Sequence, residues 1–283
     1  VKRVALATDR KPSESVEIVP TSRVTGRRSS RVRDSVAREE PLEIQLDGAS
    51  LTVVMRTPGR DEELALGLLW SERVIGSLED VISVRHATVA PNPEAADNIL
   101  QVRLREGMHV DWARLKRNFY ASASCGICGK ATIDGALAEA PPIEERSKFP
   151  AGLFHALPAR LRAAQDAFAE TGGLHAAGLF DAEGELFVVR EDVGRHNAVD
   201  KVIGWALERG RLPLRGHVLL VSGRISYEIA AKALAARVPV VAAVSAPSSL
   251  AVALAERARL TLVGFLRGHA FNIYGDRSRV SPP

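Results

Sequence analysis

The feature that most constrains this chain is a series of short, wholly apolar runs in its last third, separated by stretches with helical periodicity. HVLLVS (217–222), VPVVAAVS (238–245) and LTLVGFL (260–266) read as strands, with helices over Tyr227–Ala236 and Ser249–Ala258 between them. A strand that is apolar throughout must be covered on both faces, so these runs predict a sheet enclosed by helices. The alternation extends upstream. A long helix over Ala151–Glu170 ends at Gly172-Gly173, strands follow at 174–181 and 185–191, and a helix runs through Ala198–Leu207.

The earlier half reads differently. LEIQLDG and LTVVMRT flank Gly48-Ala49-Ser50 and alternate as the two strands of a hairpin. Asp61 is placed to cap a helix whose apolar residues run to Ile75 before Gly76, and strands follow at Val81–His86 and Ile99–Leu104. The expected organisation is therefore a mobile basic tail over 1–38, a small α+β domain over 39–118, and a second domain over 119–283 that opens on a glycine-containing loop. With 46% hydrophobic and 25% charged residues in 283, disorder, collagen and disulfide scaffolds are excluded as whole-chain descriptions.

The longest mostly apolar run, Val238–Ala246, is too short to span a bilayer, and the first residues lack the apolar core of an export signal. The expectation is a cytoplasmic protein with no membrane contact. The net charge of +4 conceals a division: +6 over 1–38, −10 over 39–200 and +8 over 201–283. A basic last third suits an anionic ligand. Aromatics are only 5%, without the basic aromatic stripe that stacks bases, so nucleic acid is not the expected partner.

The chain has two cysteines, Cys125 and Cys128, in the string SCGICG. Two thiols three apart in a glycine loop carry chemistry or a metal. Structural zinc needs two further ligands, and no two of the seven histidines lie 3 to 5 residues apart. Zinc deaminase chemistry needs an H-x-E and a proline before the first cysteine; Ser124 stands there instead. Thioredoxin-like exchange lacks its aromatic and proline neighbours. Sulfur carriage, in which a thiolate takes the terminal sulfur of a persulfide donor, needs an accessible nucleophile on a mobile segment, and Gly126, Gly129 and Lys130 suit it.

Six strings in order, TPGRDEELALGLLWSE, SCGICG, TGGLHAAGLFDAEGELFVVREDVGRHNAVDKVIG, SGRISYE, SAPSSLAVALAE and LTLVGFLRGHAFNIY, resemble the FdhD/NarQ family of formate dehydrogenase accessory proteins over about Glu39 to Tyr274. The resemblance implies a sulfurtransferase that moves sulfur from a cysteine desulfurase to the bis-guanine-dinucleotide molybdenum cofactor of formate dehydrogenase. It further implies a cytidine-deaminase-like, three-layer second domain, a homodimer, and Cys125 as persulfide carrier with Cys128 assisting; from the cysteine and histidine spacing, no structural metal is expected. Arg73 is a departure, since the resemblance leads glycine to be expected at that position.

Further candidates follow predicted strands, where sites gather in open α/β sheets. Ser222-Gly223-Arg224, Ser245–Ser248 and the charged EDVGRHNAVDK (191–201) belong to this class, although each also fits ordinary turn or cap chemistry. His175 at a strand start reads as a core histidine. Phe265, Leu266, Arg267, Gly268, His269 and Ala270 are expected to bind the cofactor, with GDP as its mimic. Arg267 would fork onto phosphate, Gly268 would let the backbone approach, and Phe265 would lie beside a base.

Overall fold

The computed structural model describes residues 14–88, 97–115, 134–135, 137 and 141–282. Its first element corrects the expectation of an unstructured tail before residue 39. β1 (Val16–Thr25) and β2 (Arg28–Ala37) pair antiparallel, Val16 opposite Ala37 and Thr25 opposite Arg28, around Gly26 at φ 60°. The pairing puts Ile18 and Val24 on one face and Val19 and Val32 on the other. Neither face is continuously apolar, so the alternation that marks a half-buried strand is missing.

β3 (Glu40–Leu46), β4 (Ala49–Arg56), β5 (Val81–His86) and β6 (Ile99–Leu104) form a sheet in the order β4-β3-β6-β5. Leu42, Ile44 and Leu46 alternate inward on β3, as do Leu100, Val102 and Leu104 on β6, and all are buried against α1 (Asp61–Ser71). Two details of α1 differ from expectation. Its cap is Arg60, at φ 63°, because the Asp61 carboxylate accepts Arg56 Nε at 3.1 Å and Nη2 at 3.0 Å. It also stops at Ser71, where the Arg73 amide donates to Trp70 O and the Val74 amide to Leu69 O, a closure that holds Arg73 left-handed at φ 57°.

After β7 (Phe149–Pro150), the single helix expected over 151–170 is two, α2 (Ala151–Ala163) and α3 (Asp166–Thr171). The break has a tertiary cause. The Glu191 carboxylate accepts the amides of Ala167 and Phe168 at 3.1 and 2.8 Å and so starts a new helix. β8 (His175–Phe180), β9 (Leu186–Asp192), α4 (Arg195–Glu208), β10 (Val218–Val221), α5 (Tyr227–Ala235), β11 (Val240–Ala243), α6 (Ser249–Ala258), β12 (Thr261–Arg267) and β13 (Ala270–Gly275) complete the second unit, and β14 (Val280–Ser281) pairs with β7.

The large sheet has the order β13-β12-β11-β10-β8-β9, with β10, β11 and β12 parallel and the flanking strands antiparallel. Its strands are apolar throughout because both faces are covered. Leu219, Val221, Val241 and Ala243 face α4, α5 and α6, whereas Val218, Leu220, Val240 and Ala242 face α2. Three layers result. α4 then packs on α1, which is why α1 is buried nearly all round. The boundary expected near residues 118–119 lies outside the described residues. Among the described residues, no helix is long and apolar enough to cross a membrane.

Candidate functional site

β10, β11 and β12 all point their carboxyl ends to one edge of the sheet, and the antiparallel β8 begins there. His175 is therefore brought beside the loops 222–226 and 245–248 and the start of α4. The loops are tied to one another. Ile225 N donates to Ala246 O at 3.2 Å and Ser248 N to Ile225 O at 2.9 Å, while the Ser226 and Ser248 side chains cap α5 and α6. Ser222 Oγ is engaged, accepting from Ala176 N at 2.9 Å.

A cleft of about 680 Å³ opens at this edge, and its lining includes Arg162, Gln165, Phe168, His175, Ser222 and Val244. This corrects the reading of His175 as a core residue: it is half-buried and lines the cleft. Burial, then the charge of Arg195, holds its pKa below the ordinary histidine value. Behind it, burial and the cations Arg195 and Lys232 push His196 down to about 4, so its ring is neutral near neutral pH. His196 Nε2 lies 3.0 Å from Ser226 Oγ. Arg195 Nε is buried without a hydrogen-bond partner.

The charged string 191–201 is mostly structural. Asp192 is fully buried with its Oδ2 2.7 Å from Lys201 Nζ, and its oxygens also accept from Gly194 N, Asn197 Nδ2 and Thr57 N. Lys201 donates to Thr57 O at 2.9 Å. The cluster thus fastens the loop after β4 to the start of α4.

The string Phe265–Ala270 is a hairpin rather than a loop beyond a strand. β12 continues to Arg267, with a bulge between Gly264 and Arg267 that holds Phe265 left-handed at φ 55°, and Gly268 turns the chain at φ 56°. The bulge seats β12 on the loop 245–248: Phe265 N donates to Ser245 O at 3.0 Å, and a side chain on Gly264 would meet Pro247 at 2.7 Å. Leu266 is core, 1% exposed, and so is removed from the expected binding set. Phe265 is 44% exposed. Arg267 Nε donates to Val244 O at 3.3 Å, which ties it to a residue of the cleft lining although Arg267 itself does not line the cleft. Exposed His269 stacks edge-on with His155, and Ala270 pairs with Arg267.

Cys125 and Cys128 lie outside the described residues. The chain on their amino side is fixed by Leu115, buried in the first core. On their carboxyl side Ile143 is held by Arg279 Nη2 to its carbonyl at 3.0 Å and by its own amide to Ala258 O at 2.8 Å. Among the described residues, no three His, Cys, Asp or Glu side chains gather as metal ligands. Sequence reasoning missed Arg162, Gln165 and Phe168, because nothing in a helical stretch signals that a helix breaks beside a cleft.

Fold and site together define an α+β protein with a ligand-sized cleft at the carboxyl edge of a covered sheet. The chain belongs to the FdhD/NarQ family, which it matches over residues 37–281. It is 52% identical over 250 residues to the sulfur carrier protein FdhD of Mycolicibacterium paratuberculosis, covering 87% of this chain and 92% of that one. The protein of the same description from Streptomyces avermitilis is 50% identical over 258 residues, covering 88% and 89%. The fold is similar to the crystal structure of a protein from Desulfotalea psychrophila described as a formate dehydrogenase accessory protein. That match has a TM-score of 0.72 at 23% identity and covers 94% of this chain and 99% of the other.

Proposed function

We propose that this protein is a sulfurtransferase of the sulfur-carrier type, loaded at Cys125 and serving formate dehydrogenase. The observation that carries the reading is that its two cysteines fall in one Cys-Gly-Ile-Cys string of a chain half-identical to proteins named sulfur carriers. The Cys125 thiolate attacks the terminal sulfur of a persulfide on a cysteine desulfurase. The donor's S–S bond breaks, the donor cysteine leaves as thiolate, and Cys125 becomes the persulfide with no net oxidation. Cys128 assists as the neighbouring thiol.

The acceptor in this reading is the bis-guanine-dinucleotide molybdenum cofactor, carried as substrate at the sheet-edge cleft, in a cytidine-deaminase-like second domain of a cytoplasmic homodimer. A cleft of about 680 Å³ lined by Arg162, with Arg267 hydrogen-bonded to the carbonyl of the lining residue Val244, supports an anionic, nucleotide-bearing cargo. It equally favours a second reading, a chaperone that binds the cofactor without transferring sulfur. Intact-mass spectrometry after incubation with a cysteine desulfurase and cysteine separates the two. Added sulfur that Cys125→Ala abolishes is expected; sulfur retained on that variant moves the role elsewhere, and no added sulfur on the native chain leaves the chaperone.

A further inference from the structure

From Ile18 to Arg33 the chain holds five arginines, Arg23, Arg27, Arg28, Arg31 and Arg33, with no lysine and no carboxylate. All five lie on the β1–β2 hairpin. The register puts Arg31 and Arg33 on the face that carries Ile18, Pro20 and Val24, and Arg23 and Arg28 on the other, with Arg27 in the turn. Every residue from 20 to 31 is exposed, so about 20 Å of ribbon stands clear of the body. Among the described residues none of the five arginines has an ion-pair partner, and Ile18 and Val24 are 56% and 70% exposed. Crowded like charges repel, and an uncovered two-stranded ribbon adds little stability, so nothing within the fold accounts for this arrangement. Arginines interspersed with exposed aliphatic side chains suit a surface that a partner covers.

The foot of the arm says where that partner sits. β1 and β2 pack on α3, and a Cβ on Gly173 would stand 3.4 Å from the Ala37 Cβ, so the ribbon rises beside the Gly172-Gly173 turn that lines the cleft. We infer that the arm docks an acidic surface of the protein that takes the cargo from the cleft, the formate dehydrogenase catalytic subunit before its cofactor is in place. The inference rests on the proposal that the cleft carries the cofactor destined for formate dehydrogenase. Arginine forks on both faces of the ribbon grip carboxylates through paired hydrogen bonds, and their summed field speeds encounter with an acidic partner. Ile18 and Val24 pack on apolar side chains of the same surface. Nucleic acid fits the arm less well, because the ribbon carries no aromatic residue on which a base could stack.

The test is surface plasmon resonance of the full chain on the cofactor-free formate dehydrogenase catalytic subunit of the same genome, over a series of salt concentrations. The combined variant Arg23→Gln, Arg28→Gln, Arg31→Gln and Arg33→Gln should weaken binding on the order of 10-fold or more at low salt, chiefly through the association rate, with the gap closing as salt rises. Should that variant fold poorly, Arg31→Gln with Arg33→Gln makes the same comparison on one face. Equal affinity of native and folded variant overturns the arm alone, whereas a native chain that binds no subunit overturns the formate dehydrogenase reading with it. A variant that changes from dimer to monomer in sedimentation velocity would assign the arm to a second copy, and arginine-dependent binding of a short RNA duplex would assign it to nucleic acid; either overturns the proposal. Persulfide loading at Cys125 is expected to be unchanged in the same samples, and its loss would give the arm to the sulfur donor instead.

Discussion

Gly67 on α1 and Gly204 on α4 let the two helices touch backbone to backbone. A Cβ on Gly67 would stand 1.8 Å from Asp200 O, and one on Gly204 would stand 1.8 Å from Glu63 O. The residues they approach are themselves committed, since Glu63 pairs with Arg190 at 2.7 Å and Asp200 with Lys232 at 2.8 Å. Neither helix can withdraw without loosening a buried ion pair. Gly204→Ala should therefore cost about 3 kcal/mol or more in urea unfolding, at the upper end for overpacking by one methyl group. A loss below about 0.5 kcal/mol would mean that the crossing relaxes freely.

Asp192 and Lys201, both buried, connect the loop after β4 to α4 and the cleft edge. Removing one partner strands the other charge. Lys201→Met is expected to lower stability by about 3 to 5 kcal/mol, and the double variant with Asp192→Asn should recover part of that loss. Additive losses in a double-mutant cycle would show that the pair is not coupled.

His196 gives stability a defined pH dependence. Its pKa falls from 6.5 to about 4 on folding, so the unfolded chain binds the proton more readily between those values. The depressed value contributes stability that is complete above about pH 6.5 and lost as pH falls toward 4. Part of the ring reaches solvent, which screens the effect to about 1 to 2 kcal/mol. Thermal melts from pH 7 to pH 4 should show a shallower decline for His196→Asn than for the native chain. Parallel slopes would place the acid sensitivity elsewhere.

What could be read from the sequence was local periodicity. β5, β6 and α6 fall on their predicted residues because alternation or helical spacing there is decided by burial against one neighbour. The failures share a different cause. The α2–α3 break depends on the Glu191 carboxylate, distant in sequence, and the β1–β2 hairpin has no single apolar face to announce it. Arg73 is instructive: it closes α1 at φ 57°, a left-handed position that glycine, the residue the resemblance leads one to expect there, adopts without strain. Of the site, the loops at the strand ends were legible as a class. That Leu266 turns inward follows from tertiary packing alone.

Arg267 is the remaining test of the cleft as an anion site. Its Nε donates to Val244 O at 3.3 Å, and it has no carboxylate partner among the described residues, so both terminal amino groups are available beside the cleft-lining Val244. An arginine fixed through Nε presents its fork with little rotamer entropy left to lose, the arrangement that suits a phosphate oxygen pair. Arg267→Ala should weaken GDP binding in calorimetry by about 1.5 to 3 kcal/mol, the scale of a lost charge-assisted hydrogen bond. Pyrophosphate should lose affinity alongside GDP. Persulfide loading at Cys125 should be unaffected. Unchanged affinity for both probes in a folded Arg267→Ala protein would remove Arg267 from the site.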